Sequence, residues 1–119
     1  WVLVRPGRGE ISRGDLILFQ WEGTDLAIAK RVIGIPGDQV TIQSGQVYIN
    51  NQPLDEPYVK REKPKEDMPP LRVPTGHVFV LGDHRSESDD SRLFGPVPQD
   101  QIQGRIVFIL LPVHHAGVP

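Results

Sequence analysis

Lys30 is the residue whose type and setting most invite chemistry. It lies in the run Leu26-Ala27-Ile28-Ala29-Lys30-Arg31-Val32-Ile33, which follows a Glu22-Gly23-Thr24-Asp25 turn and is expected to be a strand. Side chains alternate faces along a strand, so Leu26, Ile28, Lys30 and Val32 share one face and Ala27, Ala29, Arg31 and Ile33 the other. Burial among branched aliphatics disfavours the ammonium form, and a neutral amine is what a lysine general base requires. The same pattern allows the lysine stem to run along apolar surface with its charge in water. Periodicity alone leaves both roles open, and it gives Arg31 no special claim. A second constellation, Gly82-Asp83-His84-Arg85-Ser86-Glu87-Ser88-Asp89-Asp90-Ser91-Arg92, directly follows an apolar strand and is dense in hydrogen-bonding side chains.

Other motifs carry less. Arg13-Gly14-Asp15 has the form of a cell-adhesion tripeptide, but a turn entering a strand explains it better. Adjacent histidines such as His114-His115 do not normally bind a metal. Asp89-Asp90 near Glu87 has Arg85 and Arg92 as nearer charge partners than any cation. No metal and no cofactor is expected.

The elements that must position these residues are nearly all strands. Val2-Leu3-Val4 precedes a turn at residues 6–9, and residues 15–21 are apolar enough for a buried strand. Ile35-Pro36-Gly37-Asp38 has Pro and Gly where a type II turn prefers them. Residues 40–42 and 46–49 pair across Ser44-Gly45, and Asn50-Asn51 marks a further turn. Residues 57–74 are charged and then proline-rich, the mark of a solvated loop. Residues 76–81 and 104–111 return as strands. The fold class is all-β: one domain over 1–119, with a hairpin and charged loop inserted at 43–75.

Composition bounds the rest. A chain of 119 residues, 38% hydrophobic and 24% charged, suits one globular domain. Twelve Gly and twelve Pro favour short strands and tight turns. A net charge of -2 leaves no electrostatic footprint for nucleic acid. The absence of cysteine removes disulfides and thiolate metal sites. No apolar run approaches the roughly 20 residues of a spanning helix, so the chain is expected to be soluble.

Together the two constellations resemble a known family. Lys30-Arg31-Val32-Ile33-Gly34-Ile35-Pro36-Gly37-Asp38 resembles the lysine box of bacterial type I signal peptidases. Gly82-Asp83-x-Arg85-x-x-Ser88-x-Asp90-Ser91-Arg92, with Gly95, resembles their C-terminal box. Arg13-Gly14-Asp15-Leu16-Ile17 with Phe19, and Asp55-Glu56-Pro57-Tyr58, are similar to further family stretches, and all fall in the family's order. His84 departs from the usual Asn, a change that touches the local turn.

The resemblance implies coiled antiparallel sheets with long loops, a type shared with self-cleaving repressors. It implies a membrane-associated serine endopeptidase that removes signal peptides after Ala-x-Ala sites by a Ser/Lys dyad. Lys30 would be the base, Ser88 the hydroxyl that orients it, and Asp90 with Arg92 an ion pair bracing the box. Ile28 and Ala29 would help line small-residue substrate pockets, although core packing explains both equally well. The implied partners are secretory signal peptides and, for the full-length parent, the membrane surface. The implied location is the outer face of the bacterial cytoplasmic membrane. Trp1 and Trp21 suit a membrane-facing patch, with buried core as the commoner role.

The family's nucleophile lies in a Ser-x-x-Pro stretch upstream of the first strand. None of Ser12, Ser44, Ser86, Ser88 and Ser91 has that context. The chain is therefore expected to be N-terminally truncated and inactive as it stands. Two alternatives are a non-catalytic β interaction domain and a Ser/Lys self-cleaving repressor-type domain; the boxes, and the lack of a DNA-binding segment, weigh against the second.

Overall fold

The computed structural model describes residues 2–6, 11–20, 27–55, 67–83 and 89–108. Among these residues ten strands form two antiparallel sheets: β1 Val2–Pro6, β2 Leu16–Gln20, β3 Ala27–Gly34, β4 Gln39–Gln43, β5 Gln46–Ile49, β6 Gln52–Pro53, β7 Met68–Arg72, β8 His77–Leu81, β9 Val97–Pro98 and β10 Ile102–Phe108. The larger sheet has the order β1-β10-β2-β3-β8-β9, the smaller β6-β5-β4-β7. Among the described residues the only helical pieces are α1, Ser91–Phe94, and a 3₁₀ turn at Gln99–Gln101. The all-β reading holds.

Two strands form the wall between two cores. In β8, Val78 and Val80 enter one apolar cluster with Ile17, Phe19, Val32, Val97 and Ile102. Phe79 and Leu81 enter the other, with Ile33, Val40, Ile42, Val47, Ile49 and Val73. Both faces of β8 are thus buried, which is why its sequence is a continuous apolar run rather than an alternating one. The 3₁₀ turn carries the chain from edge strand β9 straight into β10, near the other side of the same sheet. That short connection requires the sheet to curl, and Val97 and Ile102 close over the first cluster.

Turn chemistry sets the register. Ser44 (φ 52) and Gly45 (φ 82), then Asn50 (φ 53) and Asn51 (φ 68), hold two consecutive left-handed positions each, as two-residue hairpins with right-handed strand twist require. The amide of Asp38 donates to the Ile35 carbonyl at 3.0 Å, with Gly37 at φ 91, closing the type II turn. Gly34 marks where the sheets meet. A Cβ there would lie 2.9 Å from Val40 Cγ2 and 3.0 Å from Val73 Cγ2.

The structure differs from the sequence reading at Met68-Pro69-Pro70-Leu71-Arg72, expected as loop and found as β7. Two prolines argue against a central strand, but β7 is an edge strand, where missing N–H groups cost no ladder bonds. Its pairing with β4 is broken by an irregularity between Val40 and Ile42.

Candidate active site

Lys30 pairs across the sheet with Ile17, and its neighbours two residues away on β3 are Ile28 and Val32. Ile17 and Val32 are fully buried and Ile28 packs against the same core. Lys30 is half-buried at the margin of that cluster. Its setting follows from period 2 and from β2 alongside.

The other side of β3 changes character at this point. Strand β8 pairs with β3 at Arg31↔Leu81 and Val32↔Val80, then ends. Residues 27–30 therefore have β2 on one side and, among the described residues, no strand on the other. Ala27 and Ala29 are exposed there, with Ala29 opposite Leu18 on β2. Ile28 pairs with Phe19 on the opposite face. Lys30 thus stands at the inner end of a strand edge that has no partner strand among the described residues and whose one face carries Ala27 and Ala29.

The chain leaving β8 is anchored beside this edge. Asp90 is fully buried and accepts from the amide of Gly82 at 3.0 Å, so the two ends of the 82–90 segment are joined. It also accepts from Arg92 through the amide at 3.1 Å, Nε at 2.8 Å and Nη2 at 2.8 Å. Asp90 is at once the N-cap of α1 and the ion-pair partner of Arg92, so its carboxylate oxygens are already engaged by protein donors. Ser91 Oγ accepts from the amide of Val80 at 2.9 Å, fixing α1 to β8. Ser88 lies outside the described residues, as do His84, Arg85, Trp1, Trp21, His114 and His115.

The connection between the two constellations runs through Arg31, to which periodicity gives no special claim. Arg31 donates from Nη2 to Asp83 Oδ2 at 2.7 Å, from Nε to Asp83 Oδ1 at 3.2 Å, and from Nη1 to the Gly14 carbonyl at 3.0 Å. It joins the lysine strand to the start of the second segment and to the turn before β2. One signal was present in the sequence: each box carries an unassigned charge of opposite sign. Their pairing depends on β3 lying beside β8, which neither box states.

Arg13 and Asp38 form a second such tie. Arg13 donates from Nε at 2.7 Å and Nη2 at 2.6 Å to the Asp38 carboxylate, which also accepts from the Ile35 amide and Asn50 Nδ2. Burial pushes the Asp38 carboxyl up, but the Arg13 hydrogen bonds, those from Ile35 and Asn50, and the guanidinium charge outweigh it. The group is held below its ordinary value. Hydrogen bonding to Asp38 raises Arg13 in turn, against desolvation and with the help of the carboxylate charge. Arg13 of the Arg13-Gly14-Asp15 turn is thus engaged within the fold, and Asp15 accepts from the Ser12 amide at 2.9 Å.

The described serines are otherwise placed. Ser12 precedes the turn into β2, Ser44 sits at the β4–β5 hairpin turn, and Ser91 Oγ is buried against Val80. Among the described residues no helix is long and apolar enough to cross a membrane.

The family model described as "Signal peptidase, peptidase S26" matches residues 1–111. The chain is 43% identical over 112 residues to a probable signal peptidase I-1 of Synechocystis, covering 87% of the chain and 57% of that relative. It is 37% identical over 115 residues to signal peptidase I S of Bacillus subtilis, covering 87% of the chain and 61% of that relative. The chain therefore spans less than two thirds of the length of these relatives. A crystal structure of a signal peptidase I from Enterococcus faecalis superposes with a TM-score of 0.71 at 36% identity, covering 81% of this chain and 96% of that one.

Proposed function

The chain belongs to the signal peptidase family, peptidase S26, and from that membership and the setting of Lys30 we propose that it forms the base-bearing part of a signal-peptide-removing serine endopeptidase. The observation that carries this reading is the position of Lys30, half-buried on the apolar side of β3 where that strand's second edge has no strand partner among the described residues. An extended peptide adds to such an edge through main-chain hydrogen bonds, with alternate side chains entering pockets. Exposed Ala27 and Ala29 leave room for small side chains on one face of that peptide, which suits an Ala-x-Ala cleavage site. Ile28 and Ala29 are the substrate-lining residues in this reading.

In the chemical step a serine oxygen attacks the scissile carbonyl carbon as neutral Lys30 takes the hydroxyl proton. The resulting ammonium protonates the leaving amine as the peptide bond breaks. Water then hydrolyses the acyl-serine ester, with Lys30 again accepting a proton. We assign the nucleophile to a serine in the part of the family's length that these 119 residues do not span. Ser88 is assigned the role of holding the Lys30 amine in line, and Asp90 with Arg92 that of bracing the segment. The full protein is placed at the bacterial cytoplasmic membrane with this domain on its outer face.

Incubating the full protein with a preprotein and sequencing the product's new N-terminus tests the proposal. Expected is a single cut after the second Ala of an Ala-x-Ala site. No cut, or cuts scattered through the preprotein, would overturn it.

A further inference from the structure

Within these 119 residues the only Ala-x-Ala is Ala27-Ile28-Ala29, and the residue after it is Lys30. The pattern assigned above to the substrate is thus written in the strand assigned to read it. The three residues open β3, so their backbone is already extended. Ala27 and Ala29 are exposed on one face, and Ile28 is half-buried on the other, as a strand's alternation requires. An extended segment with small exposed side chains at alternate positions is the form in which an edge-binding peptidase takes its peptide.

This end of β3 is the less firmly held. Residues 27–29 pair with Gln20, Phe19 and Leu18 of β2 and, among the described residues, with no other strand. Arg31 is paired on both sides, with Leu16 and Leu81, and Val32 and Ile33 are buried. Local opening of a fold begins where buried apolar contacts are fewest. Peeling residues 27–29 from β2 gives up one ladder and the partial burial of Ile28, and buried Val32 stops the opening from spreading. A protease cuts such a segment at a rate set by how much of it is open.

We infer that Ala27-Ile28-Ala29 is a self-processing site, cut in trans between Ala29 and Lys30 by a second copy of the protein. The inference rests on the Ala-x-Ala reading proposed above. The serine oxygen of one copy attacks the Ala29 carbonyl carbon of the other. The bond to the Lys30 nitrogen breaks, and that nitrogen takes a proton from the attacking copy's lysine. Water then hydrolyses the ester, leaving one product that ends at Ala29 and one that begins at Lys30. A single copy cannot make this cut, because freeing residues 27–29 as substrate dismantles the edge that reads them. Each cut copy loses the lining of its own site, so the activity limits itself where copies are dense.

The test uses the full protein with Lys30→Met, which lacks the base, as target. It is mixed with unaltered protein, and the fragments are followed by N-terminal sequencing and mass spectrometry. Expected is one new N-terminus at position 30, forming at a rate that doubles when the concentration of unaltered protein doubles. Adding Ala29→Phe to the target is expected to abolish the cut, since the small-residue pattern is broken at an exposed position. In the unaltered protein alone, the per-molecule rate of the same cut is expected to rise with its own concentration; a rate independent of concentration would overturn the cut in trans. If the unaltered protein cuts no Ala-x-Ala preprotein, the proposed function fails and this site with it. The self-processing site alone is overturned if the preprotein is cut but the target is not, if the target is cut only once unfolded in urea, or if the Ala29→Phe target is cut at the same bond.

Discussion

The Asp90 carboxylate accepts from Gly82 and three times from Arg92 while fully buried. Removing one member of a buried, hydrogen-bonded charge pair leaves the other uncompensated and costs about 3–5 kcal/mol. Asp90→Ala is therefore expected to lower the unfolding free energy by roughly that amount in urea titration; a loss under 1 kcal/mol would mean Arg92 finds water or another partner. Arg31 is a different case at this scale. Asp83→Asn weakens the bidentate pair with Arg31 but leaves the Arg31 bond to the Gly14 carbonyl. A smaller loss of about 1–3 kcal/mol is expected, measured in the same titration. The face that Lys30 occupies was legible in the sequence, because it follows from period 2; the role proposed for it came from the resemblance of the two boxes and not from periodicity. The tie made by Arg31 was not legible, since its partner Asp83 follows the end of β8, a strand whose place beside β3 is settled only by the assembled sheet.

Among the elements, β3 carries the most constraint. Its first half has one edge without a strand partner among the described residues and holds the lysine; its second half is pressed between the cores, and Gly34 allows the approach of Val40, Val73 and Phe79. Gly34→Ala forces a methyl into that contact and is expected to cost about 1–3 kcal/mol, read as a lower urea midpoint with an unchanged slope. An unchanged midpoint would show that the junction gives way without strain. Strands β4 and β5 and both of their hairpin turns could be read from Ser44-Gly45 and Asn50-Asn51, because only a few residue types tolerate the backbone angles those turns need. Strand β7 could not. Its prolines are compatible with a strand only at a sheet edge, and which strand is the edge is a property of the sheet rather than of the segment.

At the scale of the whole molecule, two apolar cores share the wall of β3 and β8, and Asp38 ties the turn after β3 to Arg13 before β2 and to Asn50 after β5. Its carboxyl is held below the unfolded value, so the folded state favours the ionised form. That contribution is present above the ordinary carboxylate pKa of about 3.9 and is lost as pH falls through the lowered folded value. Asp38→Asn is accordingly expected to flatten the acid side of the stability profile below about pH 4, followed by urea midpoints from pH 2 to 7; an unchanged acid slope would assign the acid sensitivity to other carboxylates. The all-β class and strands β1 to β5, β8 and β10 were legible from turns and apolar runs, whereas the curl that brings β9 back to β10 needs the three-residue turn at Gln99–Gln101, which no periodicity announces. The central claim is that Lys30 is the base of a peptidase working at the edge of β3 that no described strand pairs with. The full protein with Lys30→Ala, compared with the unaltered protein on one Ala-x-Ala peptide, measures it directly. Expected is a fall in kcat of at least about 10²–10⁴, the share carried by a general base, with the urea midpoint unchanged; a kcat within tenfold of the unaltered protein would contradict it.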